Sequence, residues 1–345
     1  MKVKKLSIFT GLDFGSDSIK VVSLKRGRET FSVIGYSVVR YNSGDVADTA
    51  LLSGLLKKSL IQSGKYSKDL FITLSSKSPL IRYQQLSNMP ADEMRIALKL
   101  NSSAYLNQDY SDYYIDCTPL PTPQQPDGKR QEKIKFLVAG APKIEVDQLY
   151  AALKKVGVNP ISFQVSAVSL LNAFEFARAE EFFKQPALLV DIGHSLSTIS
   201  MLNKGVPELT RVLDFGGKNL TEAIASDLSC DIGTAEQQKI SPNDQVKQVL
   251  AQNLNDLIRE IRASINFFEG QSNDEIKKLF ISGGSAKSET IRQSINEVVS
   301  IPVELWNPLT GIDIDLKGGA KDGITADETI LGSALGAAVE GIYQQ

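Results

Sequence analysis

The chain has 345 residues, 42% of them hydrophobic and 23% charged, the balance of a soluble globular protein large enough for two cores. Its formal charge of −2 excludes the basic balance of a nucleic-acid binder, and local runs such as "MKVKK" and "KRGR" read as solvated faces. Cys117 and Cys230 supply neither a disulfide framework nor a zinc spacing, and no apolar run reaches the roughly 20 residues of a membrane span. Both thiols are expected to be small buried side chains in a reducing compartment. The apolar run after the basic head is too short for a signal peptide, and "TILGSALGAAVEGIY" is interrupted by Glu340, so the expected location is the cytoplasm.

The first 40 residues alternate as three strands, "KLSIFTGLDFG", "SIKVVSLKR" and "TFSVIGYSVVRY", turning at Gly15 and at Arg26-Gly27-Arg28. "DTALLSGLLKKSLIQSG" has helical spacing and stops at Gly64, and "DLFITLSS" is a short strand. Residues 83–160 read as an insertion in the order helix, strand, strand, helix, strand. "PADEMRIALKLNSSAYL" opens it on Pro90, and an exposed loop "PTPQQPDGKRQ" divides its first two strands. A helix follows in "SAVSLLNAFEFARAEEFF", then strands, then one long amphipathic helix over 243–269 whose stripe from Val246 to Phe268 is core packing. "KKLFISGGSAKSETIRQSI" is strand, glycine turn and helix, and "ETILGSALGAAVEGI" is a helix of small residues.

The turn "GLDFGSDSIKVVSLKRGR" at 11–28 recurs as "LVDIGHSLSTISMLNKGV" at 189–206, pairing Asp13 with Asp191, Gly15 with Gly193, Val21 with Ile199 and Leu24 with Leu202. An internal repeat at this distance predicts two related lobes. Each glycine is expected to take a positive φ and to let a ligand oxygen approach the backbone, where converging amides favour an anion. Ser16, Ser18 and Lys20 follow the first turn; Ser195, Ser197 and Thr198 follow the second. Asp13 and Asp191, opposed across a cleft, suit Mg²⁺ held through water beside phosphate oxygens. "DFGGKNLTEAI" and "FISGGSAKSETI" each end a strand and open a helix, a further pair of phosphate-type turns; neither has the Gly-Lys spacing of a P-loop. His194 lacks a neighbouring nucleophile in sequence and reads as a surface turn residue.

This order of hairpins, insertion and glycine turns resembles the actin-like ATPase superfamily and, within it, the FtsA/PilM group and the type IV pilus assembly PilM family. The stretches that carry the likeness are "GLDFGSDSIKVV", "LSNMPADEMRIALKLNSSAYL", "LLVDIGHSLSTISML", "LDFGGKNLTEAIA", "LFISGGSAKSETI" and "IPVELWNPL". The resemblance implies an α/β, actin-like two-lobed fold of duplicated ribonuclease-H-like domains. Its first lobe would take 1–82, 161–186 and 310–345, the small inserted domain 83–160, and the second lobe 187–309. It implies ATP and Mg²⁺ in the cleft, with Asp13, Gly15, Ser16, Ser18 and Lys20 as the first phosphate loop and Asp191, Gly193, Ser195 and Thr198 as the second. Gly216, Gly217, Thr221 and Glu222 would flank the nucleotide, and Gly283, Gly284 and Lys287 would form the adenosine motif. The implied partner is a PilN-like inner-membrane protein, whose short cytoplasmic N-terminus lies between the small domain and the first lobe; membrane association is then indirect, and self-association is left open.

Three departures from the family pattern stand out. His194 replaces a small residue, "QDYSDYYIDC" lacks Pro-Phe-Pro character, and "ISFQVSA" puts Gln164 where an acidic side chain is usual. A glutamine can orient water without taking its proton, so slow or no hydrolysis is expected. The alternatives are a genuine ATPase or small-molecule kinase on the same fold, or an FtsA-like filament protein. Against the last, "GIYQQ" shows no basic amphipathic membrane helix.

Overall fold

Three antiparallel strands, β1 (Ile8–Phe14), β2 (Ser18–Arg26) and β3 (Phe31–Arg40), open the structure, a computed structural model that describes residues 7–121, 131–272 and 274–344. The basic head "MKVKK" and the loop at 122–130 lie outside the described residues. Helix α1 (Thr49–Ser63) is capped by Asp48, whose carboxylate accepts from the amides of Ala50 and Leu51, and β4 (Asp69–Leu74) follows. Next come β5 (Leu80–Ser87), α2 (Ala91–Leu100), α3 (Ser102–Leu106), β6 (Tyr113–Pro119) and β7 (Lys133–Pro142). The chain continues through α4 (Lys143–Val156), β8 (Asn159–Val165), α5 (Ser166–Ala177) and α6 (Ala179–Lys184).

The second half begins with β9 (Ala187–Ile192), β10 (Ser197–Asn203) and β11 (Val206–Leu213). Helices α7 (Gly217–Leu228), α8 (Ile232–Ile240), α9 (Asp244–Asn253) and α10 (Asn255–Gln271) come next, so the helix expected over 243–269 is two helices meeting at Leu254. Strand β12 (Leu279–Ser282), α11 (Glu289–Val299), β13 (Val303–Leu305), β14 (Asp313–Ile314), α12 (Gly319–Asp327) and α13 (Gly332–Tyr343) complete the described elements.

The repeat seen in the sequence is a repeat of topology. One sheet runs β14-β3-β2-β1-β4-β8 and the other β11-β10-β9-β12-β13. In each, an antiparallel meander is extended on its first strand by two parallel strands, so β1, β2, β3, β4 and β8 correspond to β9, β10, β11, β12 and β13. Alternation along each strand then feeds two cores. Leu188, Val190 and Ile192 face helices α7–α11, whereas Ala187 and Leu189 face the other sheet.

Between the two sheets lie α5 and α13, with Phe174, Leu335 and Val339 sharing one core with Phe9 and Leu24 on one side and Leu202 and Phe280 on the other. Glycines set the spacing of this layer. A Cβ on Gly11 would overlap the Ala334 carbonyl oxygen, and one on Gly336 would overlap that of Ser169. Helix α13 therefore rests on β1 and α5 at backbone contact.

A third sheet, β5-β7-β6, has its own core of Leu80, Leu86, Ile115, Cys117, Phe136 and Val138 under Met94 and Leu98 of α2. One element expected within the 83–160 insertion goes elsewhere. Val146, Leu149, Ala152 and Leu153 of α4 pack with Leu52, Leu56 and Leu60 of α1, while β8, which starts at the end of that segment, pairs with β4 in the six-stranded sheet. Helix α4 is amphipathic beside two candidate cores, and the larger apolar face of the first sheet takes its stripe. Cys117 is buried and Cys230 only half-buried, and both are free thiols. No helix among the described residues is long and apolar enough to cross a membrane.

Candidate functional site

The two repeated turns close in the same way. The Gly15 amide donates to the Ser18 carbonyl at 3.1 Å, and the Gly193 amide to the Leu196 carbonyl at 3.0 Å. Neither glycine takes the positive φ expected of it. They are there for room: a Cβ on Gly15 would sit 2.9 Å from Lys20 Nζ, and one on Gly193 2.9 Å from the Leu196 oxygen. Gly283 does hold a positive φ, 92°, and lies against the Ile192 carbonyl, so that turn admits no other residue without strain.

These turns wall a single cleft of about 340 Å³ between the sheets. Asp13 and Asp191, near the ends of β1 and β9, both line it. Asp13 is buried; its Oδ2 accepts from Lys20 Nζ at 3.0 Å, while Oδ1 is buried with no partner. Asp191 Oδ1 accepts from Ser282 Oγ at 2.7 Å. Burial raises the Asp13 carboxyl against the pull of Lys20, and it pushes Asp191 up to about 6 despite Ser282 and Lys20. Burial also works against the charge on Lys20, yet Asp13, Asp17 and Asp191 together hold its pKa above the usual value. The centre of the cleft is thus a Lys20–Asp13 ion pair with the Asp191 carboxyl near enough to feel the ammonium's charge.

Around that centre, α5, α7 and α13 bring their first turns to the wall with Ser166, Gly217 and Ser333, aiming helix N-termini inward. The first amides of α7 already tie that helix to the second turn, Gly217 donating to the Gly193 carbonyl at 2.9 Å and Lys218 to that of His194 at 2.8 Å. Gly15, Ser16, Ser18, Lys20, Gly193, Thr198, Gly217, Gly283, Gly284 and Lys287 line the cleft. Lys287 donates to the Ala326 carbonyl. Ser195, Gly216, Thr221 and Glu222 are not among the lining residues. Gly216 packs against the His194 carbonyl, Thr221 is buried, and Glu222 pairs outside with Lys218 at 3.7 Å.

Sequence reasoning missed several lining groups. Lys239 of α8 is buried and donates to Thr221 Oγ1 at 2.8 Å, Glu236 at 2.7 Å and the Gly217 carbonyl at 3.2 Å. "GTAEQQKI" carries no motif, and its only sequence signal is an i, i+3 Glu-Lys pair. His194 is not a plain surface residue: it lines the cleft, with Nδ1 4.0 Å from Asp17 of the opposite turn. Asp17 also accepts from Arg40 at 3.1 Å and from Ser18 at 2.9 Å.

Gln164 is a correction of the opposite kind. Its Oε1 accepts from Ser169 Oγ at 2.6 Å, and it lines a separate groove of about 560 Å³ rather than the cleft. That groove runs between β6 and β8, each the edge strand of its sheet, and is floored by Leu137, Ala139, Val146 and Phe163. Asp116, Asp147 and Glu340 are its charged lining residues, and Arg95 of α2 pairs with Asp116.

A family model described as type IV pilus assembly protein PilM matches residues 11–342. The chain belongs to the PilM family. A solved PilM-PilN type IV pilus biogenesis complex is similar to it with a TM-score of 0.84, at 23% identity over 98% of this chain and 99% of that one. MreB 5 of Spiroplasma citri, solved bound to AMPPNP, matches with a TM-score of 0.52 at 13% identity, covering 99% of this chain and 96% of its own. Cell division protein FtsA of Staphylococcus epidermidis is 22% identical over 87% of this chain and 74% of its own length. The fold of this PilM-family chain is therefore the actin-like one, with two similar sheets around one cleft.

The cleft's chemistry suits a polyphosphate with a divalent cation. Asp13 Oδ1 is a buried acceptor awaiting a donor, such as a metal-bound water. Among the described residues no three His, Cys, Asp or Glu side chains group to hold a metal by themselves, so phosphate oxygens would have to complete the shell.

Proposed function

We propose that this PilM-family chain is an ATP-binding scaffold of type IV pilus machinery. ATP with Mg²⁺ sits in the cleft, and the short cytoplasmic N-terminal segment of a PilN-like membrane protein sits in the groove, with an affinity set by the nucleotide. The observation that carries this reading is the convergence of both repeated turns and three helix N-termini on Asp13 and Asp191. Asp13 and Asp191 would hold the cation through water, and Lys20 and the turn amides would meet the phosphates. Glu236, Lys239 and the Gly283–Lys287 turn would receive the nucleoside end. Bound MgATP supplies the charge that both lobes share, which favours a closed cleft. The β5-β7-β6 sheet with α2 and α3 would be the inserted small domain, and the PilN-like partner would bring the protein to the inner face of the membrane.

Slow or absent turnover belongs to the same reading, because Gln164 faces the groove and not the cleft. Phosphoryl transfer needs a group that orients the attacking oxygen. Steady hydrolysis on the order of 1 s⁻¹, abolished in Asp191→Ala, would favour the enzyme alternative.

The test is a titration of the purified protein with a labelled synthetic PilN N-terminal peptide, with and without ATP and Mg²⁺. Tighter or weaker peptide binding on adding nucleotide is expected. Equal affinities reject the coupling, and failure to bind ATP rejects the premise.

A further inference from the structure

The cleft and the groove are on different parts of the molecule, but a short run of side chains joins them from behind. Strand β11 is the outer strand of the second sheet, and it leads through Asp214 and Phe215 into the Gly216-Gly217 turn at the cleft wall. In register, Asp191 pairs with Thr198 and Thr198 with Val212, so one row of residues crosses the sheet from the cleft to β11. Val212 packs against the same apolar cluster of the first sheet as Tyr83 and Leu137 of the small sheet.

One row further along, Ser200 pairs with Thr210, and Thr210 Oγ1 hydrogen-bonds Tyr83 OH at 2.8 Å. Lys135 Nζ donates to Glu208 of the same strand and lies 5.8 Å from the Tyr83 ring centroid. Both contacts are half-buried, so they are less screened than exposed pairs. Lys77 and Asp214 add a 3.3 Å pair, but both are largely exposed and count for little. On the small sheet, Tyr83 is paired with Leu137, and Leu137 lines the groove.

The geometry points to Tyr83 and Lys135 as positioning residues that transmit lobe closure to the partner groove, acting as a strut between β11 and the small sheet. The inference rests on the two-site reading above and names the contacts that make it cooperative. If nucleotide draws the second lobe towards the first, β11 carries Thr210 and Glu208 with it. Tyr83 and Lys135 then pass the displacement to β5 and β7, and the groove wall formed by β7 and β6 moves against β8. Neither residue lines the cleft or the groove, so their loss should leave each site's own contacts in place.

The experiment measures the affinity of the labelled PilN peptide with and without Mg²⁺-AMPPNP, in the wild type and in Tyr83→Phe/Lys135→Met. The wild type is expected to show at least about a fivefold ratio between the two conditions. The double variant should fall below about twofold, with nucleotide affinity unchanged. A second pair on the opposite side of the contact, Thr210→Val/Glu208→Gln, should give the same loss and guards against a folding artefact in the first. Retention of the wild-type ratio in both pairs overturns the strut while leaving the two-site reading intact. A wild-type ratio of one overturns the coupling itself, and absence of peptide binding overturns the partner assignment.

Discussion

Asp191→Asn should stabilise the nucleotide-free protein while destroying its ligand response. Burial, with Asp13 nearby, pushes the Asp191 carboxyl from 3.8 up to about 6, and the hydroxyl of Ser282 and the charge of Lys20 only partly oppose it. The gap corresponds to about 3 kcal/mol at roughly 1.4 kcal/mol per pH unit, an upper bound because the residue keeps some exposure to the cleft. A carboxyl raised in the folded state favours folding when protonated. The wild type is therefore most stable, as far as this group decides, below about pH 4, and it loses that stability as pH rises through about 6. Asparagine keeps an oxygen for Ser282 and carries no charge. In calorimetry at about pH 8 the variant should melt up to about 4 °C above the wild type, at about 1.4 °C per kcal/mol for a chain of this length, and the two should converge near pH 4. Adding MgATP at about 100 times its Kd should stabilise the wild type by about 2.7 kcal/mol and the variant hardly at all. A nucleotide-free variant no more stable than the wild type at about pH 8 would refute the reasoning.

Ser282→Ala removes the donor to Asp191 and should cost about 1–2 kcal/mol in urea melts at about pH 8, with a much smaller loss near pH 4. Gly283→Ala puts a Cβ against the Ile192 carbonyl at a positive φ, and should cost about 1–3 kcal/mol along with most ATP affinity in a filter-binding assay. Gln164→Leu should leave ATP affinity within about twofold of wild type and change peptide binding, since the side chain faces the groove and is held by Ser169.

The duplicated sheets were legible because each depends on local pattern: alternating apolar residues, an Asp-x-Gly turn and a second strand, repeated with the same spacing between Asp13 and Asp191 as between Leu24 and Leu202. What escaped was decided by distant packing. The stripe of α4 fits the small sheet or the large one equally well, and only the assembled α1 face selects. Gln164 is two residues before Ser166; one lines the groove and the other the cleft, a division that follows from where β8 ends. Lys239 reaches the cleft because α8 packs beside α7, and no residue near it in sequence announces that.

The layer of α5 and α13 has a consequence for how this protein can vary. Where Gly11 meets Ala334 and Gly336 meets Ser169, peptide groups touch with no side chain between them. The thickness of that spacer is consequently fixed by covalent geometry, and substitutions elsewhere in the core cannot retune it. Differences in cleft aperture among relatives with the same glycines should trace to the turns and to the small sheet, while the shim between the halves stays constant.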